Sequence, residues 1–152
     1  MVSDYLNREN RDPNLIVQDF ARSNNQYDIM EIARFADGIG VAFVMSSALN
    51  DGMPKYIHVS DYFHNLTGYQ PAEIISQGPS VLQCEHTNLI ESKHQMKQLL
   101  SIVVMDTRLV NKRKDGTLFG NHIRACSAPA WHQLDPGTFF GFTRECPISD
   151  CK

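Results

Sequence analysis

The pair of strand-like runs joined by Asp115-Gly116 constrains this chain more than any other feature. Residues 102–112 and 117–128 are rich in β-branched and apolar residues. An Asp-Gly pair between two such runs is a strong local signal for an antiparallel hairpin. A third run, 137–144, follows "HQLDPG", in which Asp-Pro-Gly is turn chemistry. Three consecutive strands with short connections form a meander, not the regular strand–helix alternation of a parallel-sheet enzyme. The basic cluster "NKRKDG" at 111–116 surrounds the turn, and it is too short for a nucleic-acid stripe. It reads as the solvated end of the hairpin.

The remaining segments add two strands and several helices. "GVAFVMSS" and "PKYIHVS" are β-like runs joined by "ALNDGM", where Asp51-Gly52 makes a hairpin candidate. Ser60 is placed to cap a helix through "DYFHNLTG" that ends at Gly68, and Pro71 opens a second, "PAEIIS". The longest amphipathic stretch, 87–100, predicts a helix whose buried side is Leu89, Ile90, Met96, Leu99 and Leu100. Before the strands, residues 12–37 read as helical. Asp12 can cap, Pro13 suits a first helical position, and Leu15, Ile16 and Phe20 recur at helical spacing. "SNNQ" interrupts, after which Tyr27, Met30, Ile32, Ala33 and Ala36 continue to a stop at Asp37-Gly38. The fold class is α+β. The segments divide the chain into a helical extension at 1–38, a domain at 39–146 and a tail at 147–152.

Composition narrows the function. With 152 residues the chain fits one domain, and a net charge of −3 supplies no general attraction to nucleic acid or to an anionic membrane. No apolar run reaches the length of a membrane span, and "MVSDYLNREN" has no signal-peptide core. The expected compartment is therefore cytoplasmic or nuclear. Cys84, Cys126, Cys146 and Cys151 show neither a C-x-x-C pair nor zinc spacing and read as free thiols. His58, His64, His86, His122 and His132 form no metal-ligand pattern. G-x-S-x-G, P-loop and H-E-x-x-H signatures are all missing, so the chain reads as a non-enzyme with no catalytic and no metal-ligating residues.

"VSDYFHNLTGYQPAEI" and "NKRKDGTLF" resemble the corresponding segments of PAS domains over about residues 40–145. Within that fold the chain is most similar to the light-oxygen-voltage (LOV) class of flavin-binding blue-light sensors. The resemblance implies a five-stranded antiparallel sheet flanked by short helices, preceded here by an N-terminal helical extension. In the LOV class a short helix carries Asn-Cys-Arg-Phe-Leu-Gln. Here "GPSVLQ" at 78–83 stands in its place. Leu82 and Gln83 match it. Gly78 replaces the ring-binding Asn, Pro79 the photoreactive Cys, and Ser80 the phosphate-binding Arg. The second phosphate arginine falls near Met96. Asn111 and Asn121 match the two strand asparagines, and "FFGFT" resembles the last strand with Thr143 in place of Gln. The resemblance thus implies a LOV-like domain lacking the photoreactive cysteine.

Strand alternation supports part of that assignment without the family. With Asn111 inward, Leu109 and Thr107 share its face; with Asn121 inward, Ile123 and Ala125 do; Phe139, Gly141 and Thr143 share the third. That surface is mostly apolar with a few amides, which suits a planar ligand. The candidate cofactor-binding residues are Gln83, Asn111, Asn121, Thr143, Leu109, Ile123, Phe139 and Gly141. The implied cofactor is a flavin, FMN or riboflavin, held without a covalent bond. Lys93 and Lys97 are candidate substitutes for the missing arginines. Cys84 reads as a loop bystander and Cys126 as pointing away from the pocket. Two functions stay open: a sensor with a ligand in this pocket, or a ligand-free PAS interaction module whose task is dimerisation. A haem sensor using His94 is a further alternative. The resemblance also implies a homodimer through the N-terminal helices or the sheet, and an output domain belonging to a larger signalling protein. The apolar residues of the N-terminal helices must cover either this chain's own sheet or a partner's.

Overall fold

Asp12 accepts a hydrogen bond from the Asn14 amide at 2.9 Å and caps the first helix, α1 (Pro13–Ser23), whose first residue is the expected proline. The computed structural model describes residues 12–23, 28–47, 54–101, 104–128 and 137–152. Helix α2 (Ile29–Gly38) begins where the Asp28 carboxylate accepts from the Glu31 amide at 2.7 Å. Of the residues expected on its apolar side, Ile32, Ala33 and Ala36 are buried, Met30 is exposed and Tyr27 lies outside the described residues.

Strands β1 (Ala42–Ser47) and β2 (Lys55–Val59) follow, then α3 (Tyr62–Thr67), α4 (Pro71–Ile74), a 3-10 turn (Pro79–Leu82) and α5 (Leu89–Leu100). β3 (Met105–Lys112), β4 (Leu118–Ser127) and β5 (Thr138–Cys146) complete the sheet, and a last 3-10 turn spans Ile148–Asp150. All strand pairs are antiparallel, in the order β2-β1-β5-β4-β3. The expected α+β architecture with a five-stranded antiparallel sheet is therefore borne out. The β1–β2 connection with Asp51-Gly52 and most of "HQLDPG" lie outside the described residues.

The N-terminal helices cover one face of this chain's own sheet. Val17 and Phe20 of α1 and Ile32 and Phe35 of α2 form one core with Phe43, Cys126, Phe140 and Phe142 of the strands. Phe43 meets Phe140 edge-on at 5.1 Å, and Phe20 stacks on Phe35 at 4.2 Å. Polar contacts fix the start of α1. His122 Nε2 lies 2.9 Å from Asp106 and 3.6 Å from Asp12, the Asn14 side chain donates to the His122 carbonyl, and Arg124 bonds Gln18. Asp12, Asp106 and His122 are close enough together to suggest a cation site. Their carboxylates are already paired, however, with Arg124 on Asp106 at 2.7 Å and Arg144 near Asp12 at 3.7 Å. The group is a neutralised pin between helix and sheet.

On the other face lie α3, α4, the 3-10 turn and α5, where Phe63, Leu66, Ile74 and Leu82 pack with Val44, Tyr56 and Phe119. Three expectations need correction here. Ser60 does not cap α3; its hydroxyl accepts from the Phe43 amide at 2.9 Å and secures β1. The Tyr62 amide at the start of α3 goes instead to the Asp37 carboxylate at 3.0 Å, a cap supplied from the end of α2.

The second correction concerns α5. Its cap is Asn88, which accepts from the Glu91 amide at 3.0 Å, while Thr87 is buried and donates to the Val110 carbonyl. That anchor on β3 turns the helix so that Ser92, Met96 and Leu99 face inward. Leu89, Leu100 and above all Ile90, at 84% relative exposure, are left in solvent. Third, the basic hairpin end is not simply solvated. Arg113 lies 4.6 Å from the Phe119 ring, donates to the Leu66 carbonyl at 3.0 Å and pairs with Glu145, and Lys114 pairs with Glu73. These contacts clasp the hairpin to α3 and α4, while Lys112 stays exposed.

Candidate functional site

Alternation along β3, β4 and β5 brings Leu109, Asn111, Asn121, Ile123, Gly141 and Thr143 to the sheet face under α5. In the register, Leu109 pairs with Asn121 and Ile123 with Thr143, so Asn111, Asn121 and Thr143 are diagonal neighbours on three adjacent strands. The side chains are close enough to bond in a row. Asn121 Nδ2 donates to Asn111 Oδ1 at 2.8 Å, the Thr143 hydroxyl donates to Asn121 Oδ1, and Asn111 Nδ2 donates to the Val110 carbonyl at 3.1 Å. All three residues are buried. Each amide keeps a second N–H and spare lone pairs, so the row is satisfied internally and still has valences to offer.

A cavity of about 90 Å³ lies over this row. All eight residues expected at the site line it: Gln83, Asn111, Asn121, Thr143, Leu109, Ile123, Phe139 and Gly141. Gln83 enters from the end of the 3-10 turn, where its amide donates to the Ser92 hydroxyl at 3.2 Å. Thr107 does not join them; its hydroxyl donates to Glu91 at 3.1 Å.

Reading from sequence missed several walls. Val44 belongs to the alternating set Ala42, Val44 and Ser46 on β1, and Tyr56 to β2. Ser92, Met96 and Leu99 recur at helical spacing once the face of α5 is known. Val44 also changes the role of Gly141. A Cβ at that position would lie 2.6 Å from Val44 Cγ2, so the glycine makes room for valine across the β1–β5 pair. Tyr56 is buried, and desolvation pushes its phenol well above the usual range, so the cavity wall there is neutral.

Pro79 lines the cavity, and none of the four cysteines does. The Cys84 amide donates to Thr87 Oγ1 at 3.0 Å in the turn before α5. Cys126 sits in the helix-covered core on the opposite face, where burial pushes its thiol up to about 11. Cys146 is also held up at about 11, by burial first and then by neighbouring Cys151. His94 is exposed on α5 and does not line the cavity. Gly78 has no room for a side chain, since a Cβ there would come within 2.7 Å of the Pro54 carbonyl oxygen.

The residues fit a planar heterocycle with a carbonyl- and N–H-bearing edge, because amides present both donors and acceptors along one line. The volume fits less well. Apolar cavities of roughly 150 Å³ hold benzene, so a larger ring needs Val44 or Met96 to move aside. Met96 is the more adaptable of the two.

No protein-family model matches the chain. Solved structures do. The LOV domain of a blue-light activated histidine kinase from Erythrobacter litoralis superposes with a TM-score of 0.62 at 20% identity, covering 70% of this chain and 95% of that domain. The chain spans 33% of the length of the full kinase, to which it is 18% identical. A light-oxygen-voltage domain studied through a flavin analogue gives a TM-score of 0.68 at 20% identity over 83% of this chain and 90% of its own. The LOV domain of the blue-light photoreceptor Aureochrome1, in its light state, gives 0.62 at 23% identity over 70% and 82%. These likenesses establish the fold.

Proposed function

We propose that this chain, which has the PAS fold of light-oxygen-voltage domains, is a sensory domain that holds a flavin ring without a covalent bond. The observation that carries the reading is the buried row Asn111–Asn121–Thr143, which faces the same cavity as Gln83 beside the apolar walls of Leu109, Ile123 and Phe139. Asn111 and Asn121 would meet the polar edge of the ring, Gln83 would approach from the 3-10 turn, and the apolar side chains would cover its faces. A bound flavin supplies absorption of blue light. The chain's own part is to orient the ring, exclude water and answer a change in its hydrogen bonding.

Asn121 is the residue best placed for that answer, since it bonds Asn111 on β3 and Thr143 on β5. β5 also presents Phe140 and Phe142 to the N-terminal helices, which gives a shift of the strand a short route to the far face. No thioether forms in this reading, because Pro79 occupies the cavity wall and Cys84 lies outside it. The sensor is residues 39–146, carried with extension 1–38 and tail 147–152 in a larger signalling protein that holds the output domain. Two copies pair through the outer sides of the N-terminal helices, since their inner sides lie on the sheet. Light scattering of the purified chain tests the pairing; a monomer would remove it. Among the described residues no helix is long and apolar enough to cross a membrane.

A second reading, a ligand-free interaction module, is favoured by the small cavity and by amides that already satisfy one another. The visible spectrum separates the two. The flavin reading expects a yellow protein, or a colourless one that takes up added flavin; a chain that does neither refutes it. Pro79→Cys adds a second test. With flavin bound, the variant should lose its blue absorption under illumination and recover it in the dark, while the natural chain should not.

A further inference from the structure

We propose that the cavity selects a neutral ligand and gains nothing from a phosphate on it, so that riboflavin binds at least as tightly as FMN. The inference rests on the flavin reading and specifies which flavin. No described residue lining the cavity carries a charge; its polar groups are amides and hydroxyls, among them Gln83, Asn121, Ser92 and Thr143. A phosphate inside would lose its hydration without a cation to replace it, which is unfavourable.

Among the described residues, the α5 rim offers no better partner. Lys93 and Lys97 follow Ser92 and Met96 by one residue each, about 100° around the helix. Both are exposed, on the flank shared with exposed Leu89 and Leu100, so they face bulk water. The other flank carries Glu91, whose carboxylate accepts from Gln95 at 2.8 Å and from Thr107 at 3.1 Å. Those bonds, with Lys152 nearby at 3.5 Å, hold its carboxyl below the usual range and keep it negative. Lys152, which reaches this helix, is thus already engaged by Glu91. On the opposite wall, the backbone of Pro54 closes the space at Gly78, and Ser80 exposes a neutral hydroxyl. A phosphate at the end of a flavin side chain would therefore meet only solvent-screened lysines on this helix, with the Glu91 carboxylate opposing it.

Titration of the full chain with riboflavin and with FMN, followed by quenching of flavin fluorescence at low and moderate salt, tests the proposal. The expected result is a riboflavin Kd equal to or lower than that of FMN, with Lys93→Ala plus Lys97→Ala leaving both values unchanged. A preference for FMN of about threefold or more, or a loss confined to FMN in the double variant, overturns it and leaves the flavin reading intact. Failure of both flavins to bind overturns the flavin reading itself, and the selectivity with it.

Discussion

The two faces of the sheet are built from the same strands and have opposite contents. β5 alternates Phe139, Gly141 and Thr143 toward the cavity with Phe140 and Phe142 toward the N-terminal helices. On the helix-covered face, aromatic rings interlock at 5.1 and 5.8 Å and fill the space. On the other, a threonine and two asparagines border open space, and Val44 fills the room over Gly141. One face is optimised for packing and the other holds polar groups in a fixed row, at some cost in packing density. Period-two alternation lets one strand serve both purposes, since a change on one face leaves the side chains of the other in place.

Substitutions on each face should therefore separate stability from binding. The largest effect is expected from Phe43→Ala, which removes a fully buried ring from the helix-covered core. Urea unfolding should show a loss of about 3–5 kcal/mol, with the flavin affinity of the folded protein unchanged. A matching loss of affinity would break the separation of the faces. Next is His122→Leu. This side chain is 1% exposed and bonds Asp106 at 2.9 Å, so the expected cost is about 1–3 kcal/mol. Proteolysis near α1 should accelerate in the same variant, because the pin on Asp12 goes with it.

The cavity face predicts a different pattern. Asn121→Leu alone leaves Asn111 and Thr143 without their partner and should cost about 1–3 kcal/mol. Replacing the whole row, with Asn111→Leu, Asn121→Leu and Thr143→Val together, removes the unpaired groups as well. Its stability should return to within about 1 kcal/mol of the natural chain, while flavin uptake is lost. A triple variant that still takes up flavin would reassign the site.

The smallest effect is a pH dependence from His58. Burial lowers its pKa below the ordinary histidine value, only partly opposed by Asp37 and Asp61, and its Nε2 is buried without a hydrogen-bond partner. As pH falls through the ordinary range near 6.5, the unfolded chain takes up a proton that the folded chain refuses. Stability therefore declines with acid between that range and the lowered folded value, then levels off. His58→Gln should flatten this part of a melting-temperature profile, and an unchanged slope would assign it to another group.

Much of the cavity was legible in the chain. Asn111, Asn121 and Thr143 stand at alternating positions in runs bounded by turn residues, and alternation alone places them with Leu109, Ile123 and Gly141. α5 shows where such reading stops. Leu89 and Ile90 look like core because they are apolar, yet the bond from Thr87 to the Val110 carbonyl sets the roll of the helix and leaves them outside. Asp37 looks like a turn residue because its partner, the amide of Tyr62, lies far along the chain. The His122 pin is equally silent, since Asp12, Asp106 and His122 come from separate segments.

By itself, then, the sequence determined the strands, the Asp115-Gly116 turn, the α+β class and which strand residues share a face. These follow from periods of two and 3.6 and from local turn chemistry. Tertiary structure decided which face each helix presents, that the N-terminal helices cover their own sheet, and that Val44 narrows the cavity above Gly141. Those outcomes depend on contacts between residues distant along the chain, where local pattern carries no information about the partner.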